Sequence, residues 1–141
     1  MNKVKHVKNN IELEIAYKIR MEVFVKEQGI PIDMEFDEYD NIAIHILAYD
    51  NENPVGCGRI RFFDDYAKLE RIAILKNSRN NGFGKIICDE LISIAVEKNI
   101  DRIILHSECS ALKFYEKLGF VSEGEVFEEV GIDHISMVKQ L

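Results

Sequence analysis

Branched apolar residues recur every four positions at Ile11, Ile15, Ile19 and Val23, with Ala16 beside them, which predicts an amphipathic helix capped near Asn10. Pro31 bars that helix from running on. Residues 42–49 and 55–63 read as strands joined by Asn51-Glu52-Asn53-Pro54, a turn composition that suits an antiparallel hairpin. Residues 67–75 continue the meander after Asp64-Asp65. A helix over 82–98 puts Ile87, Leu91, Ile94 and Ala95 on one face. Residues 103–105 are a short apolar strand, residues 110–119 a short helix that stops at Gly119, and residues 120–127 and 134–139 two final strands. With a leading strand, the order is strand, helix, three strands, helix, strand, helix, two strands, which predicts a mixed sheet with helices on its faces.

The length of 141 residues fits one domain, 1–141, and 47% apolar content supports an ordinary core. Apolar runs are far too short to span a membrane, and Met1-Asn2-Lys3 begins no signal-type apolar region, so a cytoplasmic protein is expected. Cys57, Cys88 and Cys109 are odd in number and unpaired in spacing, as in a reducing compartment; Cys88, amid Ile87 and Leu91, reads as core. A net charge of −7 without a basic stripe argues against nucleic acid and favours a cationic acceptor. The surplus sits at Asp33, Glu35, Asp37, Glu38 and Asp40, and at Glu123, Glu125, Glu128 and Glu129. Such runs read either as solvated loop faces or as steering charge.

The turn Arg79-Asn80-Asn81-Gly82-Phe83-Gly84 lies between a strand and a helix start, where unpaired amides and the helix dipole suit a phosphate. The residues a P-loop requires are missing, since Arg79 and Ile86 stand there. Ile87 occupies the third glycine of a dinucleotide fingerprint. The remaining pattern, R-x-x-G-x-G, resembles the coenzyme A pyrophosphate loop of the GNAT N-acetyltransferase superfamily. Downstream, Ala111-Leu112-Lys113-Phe114-Tyr115-Glu116-Lys117-Leu118-Gly119-Phe120 resembles that superfamily's C-terminal motif. Val23 to Gln28, Glu35 to Asp40, His45 and Phe127 to His134 are similar to the small bacterial ElaA-like branch. The resemblance implies an α/β (α+β) GNAT-like fold: a mixed, mostly antiparallel sheet of about seven strands with helices on both faces. It also implies two central strands that splay to admit the pantetheine arm, acetyl-CoA as co-substrate without a metal, and direct transfer to a small-molecule amine in a ternary complex. It leaves a homodimer open.

Acyl transfer from a thioester to an amine requires holding the donor, deprotonating the acceptor and returning a proton to sulfur. For the donor, backbone N–H groups from Asn80 through Asn81, Gly82, Phe83, Gly84 and Lys85 would grip the pyrophosphate, with charge from Arg79 and Lys85. Edges of Ile72, Ala73 and Ile74 would pair with the pantetheine amides. Arg79 reads equally as a surface residue. The resemblance adds Phe114 and Lys117 to the cofactor side, although Phe114 alone reads as core. Tyr115 matches the family's general acid, against the plainer reading of a packed aromatic. A phenol of pKa about 10 serving a thiolate of about 8.5 runs uphill by roughly 2 kcal/mol. Deprotonating an alkyl ammonium at pH 7 costs about 4–5 kcal/mol, so a base is needed. Glu70, on the face of Ile72 and Ile74 by period two and with a pKa raised by apolar neighbours, is the candidate, against pairing with Arg59, Arg61 or Arg71. Glu27, Glu38 and His134 match ElaA-like positions that would line the acceptor pocket.

His106-Ser107-Glu108 copies the H-x-E of zinc deaminases, but no P-C-x-x-C follows. Cys109 lacks an activating pair beyond His106. His6 and His45 read as structural. The rivals to a small-molecule enzyme are a non-catalytic coenzyme A-binding regulatory module and a protein-lysine acetyltransferase.

Overall fold

In the computed structural model, which describes residues 2–141, β1 (Asn2–His6) leads into α1 (Asn10–Arg20), which passes into a π-helical turn over Met21–Glu27. A short α2 (Ile32–Glu35) and a 3₁₀ turn over Glu38–Asn41 precede β2 (Ile44–Asp50), β3 (Asn53–Phe62) and β4 (Ala67–Ile74). Then come α3 (Phe83–Glu97), β5 (Arg102–Glu108), α4 (Leu112–Lys117), β6 (Val121–Glu129) and β7 (Ile132–Gln140). The strands form one sheet, ordered β1-β2-β3-β4-β5-β7-β6. Every pairing is antiparallel except β4 with β5. The expected element order and the hairpin after β2 are both present.

Helices cover both faces. Ile87, Cys88, Leu91, Ile94 and Ala95 of α3 pack on one side with Ile46, Ile60, Leu69 and Ile103. Ala16, Ile19 and Val23 pack on the other with Leu47, Cys57 and Ala73. The stripe on α1 is not the expected one. Ile11 is 74% exposed, and the buried positions are Glu12, Ala16, Ile19 and Arg20. Asn9 caps the helix through its side-chain oxygen, which accepts from the Glu12 amide at 2.9 Å. The Glu12 carboxylate is held inward by the Lys8 amide at 2.7 Å and by Lys5.

The acidic run around residues 33–40 is neither a solvated face nor steering charge, because its key members are counter-ions of the interior. Arg20 and Arg59 are each 1% exposed. Arg20 donates to Glu35 at 2.8 Å and to Asp40 at 2.7 Å. Arg59 donates to Asp37 at 2.8 Å and to Asp40 at 2.7 Å. His45 is structural, as expected, with Nε2 2.9 Å from the Asp40 carbonyl oxygen. Burying charge is tolerable only with such partners, and removing one of a buried pair typically costs about 3–5 kcal/mol. The network ties α1, α2 and the 3₁₀ turn onto β3 and β4.

Candidate active site

The sheet is interrupted at its centre. β4 and β5 pair only over Ala67–Leu69 with Ile103–Leu105; beyond that β4 runs to Ile74 and β5 to Glu108 without meeting. The expected splay is therefore present, and the β5-facing edge of Ile72, Ala73 and Ile74 has no strand on it. On its other edge β4 carries a bulge: Cys57 lies opposite Ala73 but Arg59 opposite Glu70, so β4 uses three residues where β3 uses two. Arg71 sits in the bulge at φ 54°.

Where β4 ends, the chain bends into the glycine turn. Asn80 (φ 66°) and Gly82 (φ 86°) are both left-handed, and Gly82 is the N-cap of α3 without any side-chain capping bond. The first amides of α3 are thus open. Phe83 is 3% exposed and anchors the turn in the core. Asn81 donates its side-chain amide to the carbonyls of Ser78 at 3.2 Å and Arg79 at 3.0 Å. At Gly84 an added Cβ would lie 3.1 Å from the Phe114 ring, so that ring crosses the first turn of α3. Phe114 is 36% exposed and is not core. Lys85 pairs with Asp89 at 2.7 Å, and Lys117 is exposed at the end of α4. Arg79 is held by Glu27 through two bonds of 2.6 and 2.7 Å and donates Nε to the Ile74 carbonyl at 3.0 Å. Its guanidinium lowers the Glu27 pKa.

Beside the splay lies a cavity of about 310 Å³ whose lining includes Glu70 and Arg71 from β4, Glu108 from β5, Tyr115 from α4 and His134 from β7. Tyr115 is 9% exposed and lies edge-on to Phe114 and Phe120. Burial pushes its phenol well up, with Cys88 and Glu108 adding to the rise. Such a group stays protonated at neutral pH and lends its hydrogen only as charge develops on a partner.

The expectation for Glu70 is corrected in two respects. The bulge shifts parity, so Glu70 faces the α1 side with Arg59, whereas Ile72 and Ile74 pack toward α3. Nor is the carboxylate isolated: Arg59 reaches it at 3.1 Å and Lys68 at 3.3 Å, and Arg61 donates to both its oxygens. Although burial opposes ionisation, the Arg61 hydrogen bonds and the surrounding cations bring its pKa down to about 2. A group clamped in this way is a poor proton acceptor.

Among the remaining candidates, His134 is 8% exposed and lines the cavity. Glu27 and Glu38 are exposed and are not part of that lining. His106 places Nδ1 3.0 Å from Glu129. Gln28, from the ElaA-like segment, and Glu108, from the H-x-E string, meet on the cavity wall, a pairing that the sequence does not signal. Gln28 donates to Glu108 at 3.1 Å, and its own buried Oε1 has no partner among the described residues. No spacing signal joins two residues that far apart in the chain. No helix among the described residues is long and apolar enough to cross a membrane.

A family model described as an acetyltransferase (GNAT) domain matches residues 12–141. The uncharacterized N-acetyltransferase YjcF of Bacillus subtilis is 45% identical over 134 residues, covering 94% of this chain and 95% of that protein. The crystal structure of Escherichia coli ElaA superposes with a TM-score of 0.89 at 24% identity, over 99% of this chain and all (100%) of that one. A GNAT family acetyltransferase from Elizabethkingia anophelis, crystallised with acetyl-CoA bound, gives a TM-score of 0.76 at 20% identity, over 99% and 98% of the two chains.

Proposed function

We propose that this chain, which belongs to the GNAT family of acetyltransferases, transfers an acetyl group from acetyl-CoA directly to the nitrogen of a small primary amine. One observation carries the reading: the β4 edge that no strand covers and the uncapped start of α3, joined by the turn over residues 75–82, lie beside a cavity lined by Tyr115. The amides of Ile72–Ile74 would take the pantetheine arm as a missing strand. Those of residues 80–85 would take the pyrophosphate at the helix N-terminus. Arg79, Lys85 and Lys117 supply positive charge, Arg79 only after leaving Glu27, and Phe114 shields the first turn of α3. Nothing in this recognition calls for a metal.

Tyr115 donates its hydrogen to the departing sulfur. Because its phenol is pushed upward, it acts by hydrogen bonding to the developing thiolate rather than by titrating ahead of it. The acceptor is cationic in water and small enough for the cavity; the Glu108 and Glu129 carboxylates on the lining suit an ammonium. A cavity of about 310 Å³ favours a small molecule over a lysine peptide. A module that only binds coenzyme A would have no use for an amine site beside the thioester.

Calorimetry with coenzyme A, together with thiol release from acetyl-CoA in the presence of primary amines, tests the proposal. Binding with release supports an enzyme, binding without release a regulatory module, and no binding removes the reading. Gly82→Val forces a β-branched residue to φ 86° and is expected to weaken coenzyme A binding by at least tenfold.

A further inference from the structure

With Glu70 clamped by cations, another group must take the proton that an ammonium has to lose. The other acceptors lining the cavity differ in what already occupies them. Glu35 is 3% exposed and ion-paired to Arg20 and Arg71. Glu108 accepts from Gln28. His106 uses Nδ1 on Glu129 and is more open to solvent, 30% exposed. His134 differs from all three. Its Nδ1 lies 2.7 Å from the Ile132 carbonyl oxygen, and since a carbonyl can only accept, Nδ1 must carry the hydrogen. In the neutral ring Nε2 is then a bare lone pair. That Nε2 has no hydrogen-bond partner among the described residues. The ring is fixed by stacking on Phe127, with centroids 6.1 Å apart and planes 25° apart, and its register partners are Glu108 on β5 and Phe127 on β6.

We propose that His134 is the catalytic base: Nε2 takes the first proton from the acceptor ammonium in the cavity that Tyr115 also lines. The inference rests on the acyl-transfer reading above. The N–H bond of the ammonium breaks as the Nε2–H bond forms, leaving a neutral amine and an imidazolium. The amine then attacks the thioester carbonyl carbon and the C–S bond breaks. The second nitrogen proton balances the thiolate, which draws its hydrogen through Tyr115, and the imidazolium proton goes to solvent. The charged or titratable groups lining the same space are Glu35, Lys68, Glu70, Arg71, His106, Glu108, Tyr115 and Glu129. Of these, Glu35 and Glu70 are already matched by cations, Glu108 accepts from Gln28, and Glu129 pairs with His106.

The test uses two acceptors. An alkyl primary amine, chosen as the fastest in a thiol-release panel, is almost wholly protonated at pH 7 and needs a base; hydroxylamine is already a neutral nucleophile there and does not. His134→Asn can keep a donor to the Ile132 carbonyl while removing Nε2, and His134→Gln serves as a second variant. Expected are a loss of at least a hundredfold in kcat/KM with the alkyl amine, a change below fivefold with hydroxylamine, and unchanged acetyl-CoA affinity. With the alkyl amine, the acidic limb of the wild-type pH profile should give way in the variant to a rise that continues toward the amine's own pKa of about 10.4, and added imidazole should restore part of the rate. Equal losses with both acceptors, or a retained acidic limb with less than threefold loss, overturn the assignment and leave the acyl-transfer reading standing. Absence of thiol release from the wild type with hydroxylamine and every amine overturns both.

Discussion

Replacing Glu70 by Gln separates a structural anchor from a catalytic base. The wild-type carboxyl is held at about 2 against an ordinary 4.5, a gap of 2.5 units, and each unit corresponds to about 1.36 kcal/mol. The charged form therefore contributes about 3 kcal/mol to folding, a figure suited to a side chain only 8% exposed. A folded-state value below the unfolded one means that this stability is fully present above pH 4.5 and disappears as pH falls toward 2. Glu70→Gln is thus expected to lose about 3 kcal/mol at pH 7, or about 1.5 M in urea midpoint for a slope near 2 kcal/mol/M. Its deficit against the wild type should close between pH 4.5 and pH 2. Urea titrations of both proteins at several pH values measure this, with thiol release at pH 7 recorded under folding conditions. An equally stable variant with a hundredfold lower kcat would refute the reasoning and return Glu70 to the role of base.

Glu27→Gln frees Arg79 from an exposed pair worth about 1 kcal/mol at most, so acetyl-CoA should bind up to about fivefold tighter by calorimetry; weaker binding would mean that Arg79 does not meet the phosphates. Tyr115→Phe should leave that affinity unchanged and lower kcat by about a hundredfold, and undiminished turnover would remove the acid assignment. Arg71→Gly and Arg71→Ala both lose the bonds to the Glu35 carbonyl and Asp37, but only alanine keeps the left-handed strain at φ 54°. The glycine variant should therefore be the more stable by about 1 kcal/mol in urea unfolding.

Alternation and four-residue spacing located the strands and helices because both report which side of an element is apolar, and the glycine turn was legible because its chemistry is local. What escaped was burial of charge. The true stripe on α1 runs through Glu12, Ala16, Ile19, Arg20 and Val23, a regular helical period whose charged members a count of apolar residues skips. Asp37 and Asp40 looked like surface residues because their partner Arg59 lies 22 and 19 positions away. Glu70 was placed on the wrong face because one bulged residue, Arg71, inverts the alternation, and no residue type there announces it. Tyr115 and His134 were singled out by resemblance; their sharing of one cavity depends on β5 and β7 being neighbours, which pairwise spacing does not encode.

The interrupted pairing of β4 and β5 ties these features together. A strand edge in mid-sheet leaves amide and carbonyl groups without partners, and each such group costs about 1–3 kcal/mol if it is also dry. A continuous ladder would be the more stable sheet, so an edge that no strand covers over Ile72–Ile74, where among the described residues only the Ile74 carbonyl is taken, by Arg79, makes sense if something amide-rich completes it. On the proposed reading the pantetheine arm does so, and its thioester then arrives at the cavity wall, where Tyr115 and His134 stand on elements attached to the opposite half of the sheet. The buried ion network acts on the near half: it fixes α2 and the bulge against β3, so that binding need not rebuild the acceptor wall. Donor and acceptor thus approach from two halves of one sheet, held apart by the distance that β4 and β5 open after Leu69 and Leu105.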